Sequence, residues 1–109
     1  MRQGLDPVIH PPKRLAAMAI LAHAQDADFS FLRKHLEISD SDLSKQMSAL
    51  VEAGYVSVTK HGRGRASVTT YRITKPGRAA YVSHRQALER ILAGPTADTD
   101  ARPETPTPM

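Results

Sequence analysis

Short polar side chains recur at three- and four-residue spacing around one lysine in the middle of the chain: Ser41, Ser44, Lys45 and Ser48. At about 100° per residue, an α-helix places all four on one face. Serine hydroxyls allow a close backbone approach, and the lysine can reach guanine O6/N7 or a phosphate. Gln46, at the edge of this face, can contact adenine or the backbone. These residues predict a helix that reads the major groove of double-stranded DNA, although a plain solvated face has the same pattern.

A basic turn follows this helix. Lys60, Arg63 and Arg65 gather around two glycines within residues 60–66. A narrow minor groove concentrates negative potential and attracts arginine, so the turn predicts contacts with the minor groove or the DNA backbone. Arg72 is a further phosphate candidate. The net charge of +4 agrees with a polyanionic partner. The alternative is a charged turn that only aids solubility.

The elements that must position these residues are three helices, a hairpin and a last helix. In chain order we predict helices at Lys13–Ala24, Phe29–Leu36 and Ser39–Ala53, strands at Tyr55–Lys60 and Ala66–Ile73, and a final helix at Pro76–Leu92. Asp28, Ser39 and Thr74 precede helices as N-cap residues. The order H-H-H-E-E-H predicts a mainly helical α+β fold, the winged helix-turn-helix, with a C-terminal dimerisation helix.

Composition divides the chain into one domain and a tail. Residues 5–92 carry all the periodic segments and form the predicted winged-helix DNA-binding domain. Residues 93–109 contain four prolines and more acidic than basic side chains, with no large aliphatic residue before the last methionine. Such a segment cannot bury enough apolar surface to fold, so we predict a disordered Pro-rich acidic tail.

The first and last predicted helices are the candidates for pairing two copies. The first is apolar on nearly every face, which a solitary surface helix would not tolerate. The last carries apolar residues at heptad-like spacing, with one histidine on the same seam. The predicted dimer contacts are Leu15, Met18, Tyr81, His84, Leu88 and Ile91. His84 is read either as a hydrogen-bonded interfacial histidine or as a pH-sensitive contact.

Several function classes have no support in the sequence. There is no cysteine, so thiolate metal sites and thiol redox chemistry are absent. No nucleophile elbow, phosphate loop or paired carboxylates are evident, and the five histidines lack recognised ligand spacing, so we expect no enzyme activity, cofactor or metal. The longest apolar stretch, residues 15–22, is too short to span a bilayer, and no signal sequence is visible. A cytoplasmic protein without a membrane partner is expected.

Three segments resemble a known family: residues 9–15 (IHPPKRL), 43–56 (LSKQMSALVEAGYV) and 69–78 (TTYRITKPGR). Together they are similar to compact MarR-like and ArsR-like winged-helix transcriptional regulators. The resemblance implies a cytoplasmic homodimer, paired through its terminal helices, that binds a palindromic operator and represses transcription. The chain is shorter than typical MarR proteins and lacks the cysteines of metal-sensing ArsR proteins. The sequence therefore gives no support to a small-molecule effector, although such an effector stays possible.

A winged-helix fold also serves as a protein-interaction module. In that reading the polar helix or the last helix docks a partner protein, and the basic surface only steers the encounter. The fold does not separate this alternative from sequence-specific DNA binding. Enrichment of an inverted repeat from random DNA separates them.

Overall fold

The computed structural model describes residues 4–95, which form four helices and a three-stranded sheet. In chain order the elements are α1 (Pro12–Ala24), β1 (Asp26–Asp28), α2 (Phe29–Leu36), α3 (Asp40–Glu52), β2 (Val56–His61), a short 3-10 turn (Gly64–Ala66), β3 (Val68–Ile73) and α4 (Lys75–Ala93). The predicted mainly helical winged helix-turn-helix is confirmed. Of the predicted tail, residues 96–109 lie outside the described residues.

Side-chain caps begin three of the helices where the sequence predicts them. Asp28, Ser39 and Thr74 each accept a hydrogen bond from the backbone N–H of the residue three positions further on. Each bond satisfies an N–H group that has no partner inside its own helix. The Ser39 cap places the start of α3 at Asp40.

The sheet contains a strand that the sequence analysis missed. All pairs are antiparallel in the order β1-β3-β2, with Ala27 opposite Tyr71 and Val58 on the other side of Tyr71. β1 reads Asp-Ala-Asp, which has no β-branched or aromatic residue and thus no strand signal. It forms because β3 offers a free edge to the short link between α1 and α2.

One hydrophobic core holds the elements together. Its fully buried side chains come from the segment before α1 and from α1, α2 and α3: Ile9, Met18, Leu21, Leu32, Leu43, Met47 and Leu50. Three of them form the apolar stripe of α3, so the opposite face of α3 points outwards. No helix within residues 4–95 is long and apolar enough to cross a membrane.

Candidate nucleic-acid interface

The outward face of α3 presents the polar side chains that the sequence places together. Ser41, Ser44, Lys45 and Ser48 are all exposed on this helix. Glu52 is exposed on the same face in the last turn, and its charge is opposite to that of Lys45. The exposed surface of α3 is thus a row of hydroxyls with one cation, and it has a carboxylate at each end, from Asp40 and Glu52.

A cleft separates α3 from the sheet. Its volume is about 350 Å³, and α3 contributes Ser44 and Ser48 to its wall. The strands contribute Lys60 and Thr69, whose side chains face α3 because alternate residues of a strand point to the same side. Two of the predicted helix residues and one predicted cation therefore line one groove, which the sequence spacing alone does not show.

The wing between β2 and β3 has a tightly folded tip. Gly62 has φ +87°, and a Cβ atom there would lie 2.6 Å from the carbonyl oxygen of Ala66, so the turn requires glycine. The 3-10 turn follows at once, with Arg63 at its N-cap. Arg63 and Arg65 are both exposed. The tip thus presents two exposed cations.

Gln46 is turned away from the free face of α3. Its Oε1 accepts a hydrogen bond from Arg14 Nη1 at 3.1 Å, and its Nε2 donates to Asp42 Oδ1 at 2.8 Å. Asp42 also pairs with Lys13, and this hydrogen bond, followed by the one from Gln46, lowers the pKa of the Asp42 carboxyl. Both ends of the Gln46 amide are therefore occupied inside the protein, on the α1 side of α3.

Arg72 lies on the opposite side of the sheet from α3. A second, smaller cavity of about 270 Å³ there is lined by Arg72 together with Asp26, Thr59 and Thr70. Arg72 Nη1 is 3.2 Å from Asp26 Oδ2, and both side chains are at least half exposed. The structure therefore separates Arg72 from the surface that Lys60 shares with the α3 serines.

The predicted dimer contacts fall into two groups. Met18 and His84 are fully buried within the protomer and Tyr81 is 9% exposed, so none of them offers a useful surface to a partner. Leu15 and Leu88 are half-buried, and Ile91 is 40% exposed. Leu92, which was not among the predicted dimer contacts, is 76% exposed.

A partly buried polar cluster surrounds the buried His84. The backbone N–H of Asp6 donates to His84 Nδ1 at 3.0 Å, and His84 Nε2 lies 3.4 Å from His10 Nδ1. Asp6 also accepts a hydrogen bond from the Tyr55 hydroxyl, which raises the pKa of Tyr55. Burial, then the charge of His10, lowers the pKa of His84. Neutral His84 thus accepts at Nδ1 and keeps its proton on Nε2.

Within residues 4–95, no group of three His, Asp or Glu side chains is placed so that it could hold a metal ion. The cluster instead ties the segment before α1 to the middle of α4. Sequence reasoning assigned His84 to an interface because the partner positions, Asp6 and His10, lie far away along the chain.

The amino-acid sequence matches a family described as "Winged helix DNA-binding domain" over residues 13–92, which is more than half of the chain. The chain belongs to the winged-helix DNA-binding domain family. DNA is thus the partner class, and the family is not one of enzymes. No curated protein matches the chain significantly.

Solved structures with the same fold include transcriptional regulators. The transcriptional regulator homologue from Pyrococcus horikoshii OT3 is 24% identical with a TM-score of 0.74, and the match covers 84% of this chain and 89% of that one. A MepR-like protein is 18% identical with a TM-score of 0.68, and the match covers 92% of this chain and 72% of that one. YusO from Bacillus subtilis is 18% identical with a TM-score of 0.67, and the match covers 84% of this chain and 61% of that one. At these identities the likeness shows the winged-helix fold.

Proposed function

We propose that this winged-helix protein is a dimeric transcriptional regulator that binds a palindromic operator and represses transcription. The observation that carries the proposal is the cleft between α3 and the sheet, where Ser44 and Ser48 face Lys60 next to the exposed wing. A helix and a basic wing on either side of one groove suit a single DNA backbone strand, with the helix in the major groove on one side.

The division of labour follows from side-chain type. Lys45 and Ser41 lie at the front of α3, where they contact base edges. Of the cleft residues, Ser44, Ser48 and Lys60 contact the phosphates between helix and wing. Arg63 and Arg65 reach the adjacent minor groove or the backbone. We leave Gln46 out of this contact set because both of its amide groups are bonded within the protein.

Dimerisation through α4 follows from its uncovered apolar end. Leu88 is half-buried, and Ile91 and Leu92 are exposed one turn further on. Burying them against a second copy removes apolar surface from water, at about 25 cal/mol per Å². A twofold dimer places its two α3 helices in half-sites about 10 base pairs apart, or a multiple of that spacing, so the operator is palindromic. We also propose that the protein is cytoplasmic, as the resemblance to MarR-like and ArsR-like regulators implies.

Selection from a pool of random duplexes at physiological salt tests the proposal, with the oligomeric state of the full chain measured in parallel. We expect an inverted repeat and a dimer. A dimer or monomer that enriches no sequence contradicts the proposal and favours the protein-interaction alternative, in which the uncovered end of α4 docks another protein.

Two lysine variants sharpen this test on the selected duplex. Lys45→Ala should weaken binding by about 1–3 kcal/mol and relax the preference at one base position, because a base contact is lost. Lys75→Ala removes an equal charge from an exposed site at the start of α4 and should leave the preference intact. Equal effects of the two substitutions remove Lys45 from the base-reading surface.

A further inference from the structure

We infer that Arg14 is a positioning residue for DNA recognition: through Gln46 it sets the rotation of α3 about its own axis. This inference rests on the proposed function, because it assigns the orientation of the face that reads DNA. Arg14 does not itself contact DNA in this arrangement. Its role is to aim Lys45 and the serines.

The geometry is a hydrogen-bonded chain from the segment before α1 to α3. Arg14 Nε donates to the carbonyl oxygen of Val8 at 2.6 Å, and Nη1 donates to Gln46 Oε1 at 3.1 Å. Gln46 Nε2 donates to Asp42 Oδ1 at 2.8 Å, and Lys13 pairs with the other carboxylate oxygen of Asp42. One planar guanidinium thus joins two segments with two directed bonds.

Both anchors of this chain are themselves fixed. Val8 follows Asp6, whose carboxylate accepts the N–H of Val8 and whose own N–H donates to the buried His84. At the other end, the N–H of Asp42 donates to the Ser39 hydroxyl that caps α3. A bond between two fixed points transmits orientation, whereas a bond to a free side chain does not.

Apolar packing fixes which face of α3 points inwards, and directed hydrogen bonds narrow the range of rotation that remains. Leu43, Met47 and Leu50 bury the inner stripe of α3, but such contacts are non-directional. With side chains, a helix has a radius of about 5–6 Å, so a rotation of about 25° moves the tip of an outward side chain by about 2.5 Å. Hydrogen bonds to base edges span about 2.7–3.2 Å and do not survive that displacement.

Lys13 complements Arg14 by holding the charge of Asp42 on the α1 side. Asp42 lies in the first turn of α3, close to where phosphates approach, and an uncompensated carboxylate there would repel them. The ion pair with Lys13 and the bond from Gln46 occupy both of its oxygens. The side of α3 that faces α1 is therefore occupied by bonds within the protein, so it positions the helix and does not contact DNA.

The test compares two methionine substitutions in the full-length protein. Arg14→Met keeps the aliphatic stem and removes both bonds; Arg78→Met removes the same charge and a bond of similar kind, from Arg78 Nη1 to the carbonyl oxygen of Ala22, which does not involve α3. Arg14→Lys keeps the charge but loses the fork, so it should rescue little. Binding is measured on the selected duplex and on a random duplex, across a range of salt concentrations.

We expect Arg14→Met to weaken selective binding by about tenfold while random-duplex affinity and the salt slope stay unchanged. Arg78→Met should leave the ratio of selective to random binding as it is. A salt slope lower by about one unit identifies Arg14 as a phosphate contact and overturns the inference. Equal loss on both duplexes, with a lower melting temperature, identifies a purely structural role and also overturns it.

A second measurement needs no DNA and separates this inference from the proposed function. Backbone amide chemical shifts and hydrogen exchange of residues 41–48 should change in Arg14→Met and not in Arg78→Met. If these amides are unchanged, the positioning role is wrong whether or not the protein binds DNA. If wild-type protein selects no sequence while the amides do change, the proposed function fails and Arg14 still orients α3.

Discussion

Replacing Gly77 by alanine sets two physical effects against each other. Gly77 lies in the first turn of α4, where alanine is favoured over glycine by about 1 kcal/mol of helix propensity. A Cβ atom at this position would, however, lie 2.0 Å from the carbonyl oxygen of Tyr55. Ordinary contact begins near 3.4 Å, so the start of α4 must move by about 1.4 Å.

That movement disturbs the junction between α3, the wing and α4. Thr74 donates its N–H to Tyr55 O at 3.0 Å and its hydroxyl to Gly54 O at 2.7 Å. Weakening these bonds costs about 1 kcal/mol each, and overpacking costs about 1–3 kcal/mol more. The steric terms exceed the propensity gain, so Gly77→Ala should lower the free energy of unfolding by about 2–4 kcal/mol.

Urea unfolding followed by circular dichroism measures this loss. Ala79→Gly, at an exposed position of the same helix, reports helix propensity alone and should cost about 1 kcal/mol. A Gly77→Ala protein as stable as wild type, or more stable, would refute the reasoning, because it would mean that α4 does not approach Tyr55 as closely as described.

The remaining predictions concern charge. Arg63→Ala combined with Arg65→Ala should lower the slope of log K against log salt by about two units, because wing–phosphate contacts disappear. Arg72→Ala, on the other side of the sheet, should leave the slope unchanged. An unaltered slope in the double variant would show that the wing does not contact DNA. Folding lowers the pKa of His84 below its ordinary value of 6.5, so at pH values below 6.5 the folded state binds fewer protons than the unfolded state. The free energy of unfolding should therefore be unaffected by His84 above that pH and decrease as the pH falls through it. Urea midpoints at several pH values check this, and His84→Gln should lose more of the dependence than His23→Gln, at an exposed site.

Local signals in the sequence determined the elements. The helix bounds agree within a residue because N-cap residues and apolar spacing act over three or four positions, and these are visible in the chain itself. The exposed character of Ser41, Lys45 and Ser48 follows from the same periodicity. The sequence analysis missed β1 because its three residues have no strand propensity and form a strand only by pairing with β3.

The tertiary structure decided which polar residues are free. Gln46 and Lys45 are polar neighbours in the chain, yet the Gln46 amide is hydrogen-bonded to Arg14, 32 positions away, and Lys45 is exposed. Likewise, His84 lies at heptad-like spacing from the apolar residues of α4, but it is buried within the protomer and contacts Asp6 and His10. The sequence by itself determined the helices, the wing and the family resemblance, because these depend on local periodicity and residue type. The polar partners across long separations, and so the surface left open to DNA, depend on how the elements pack, which no local pattern encodes.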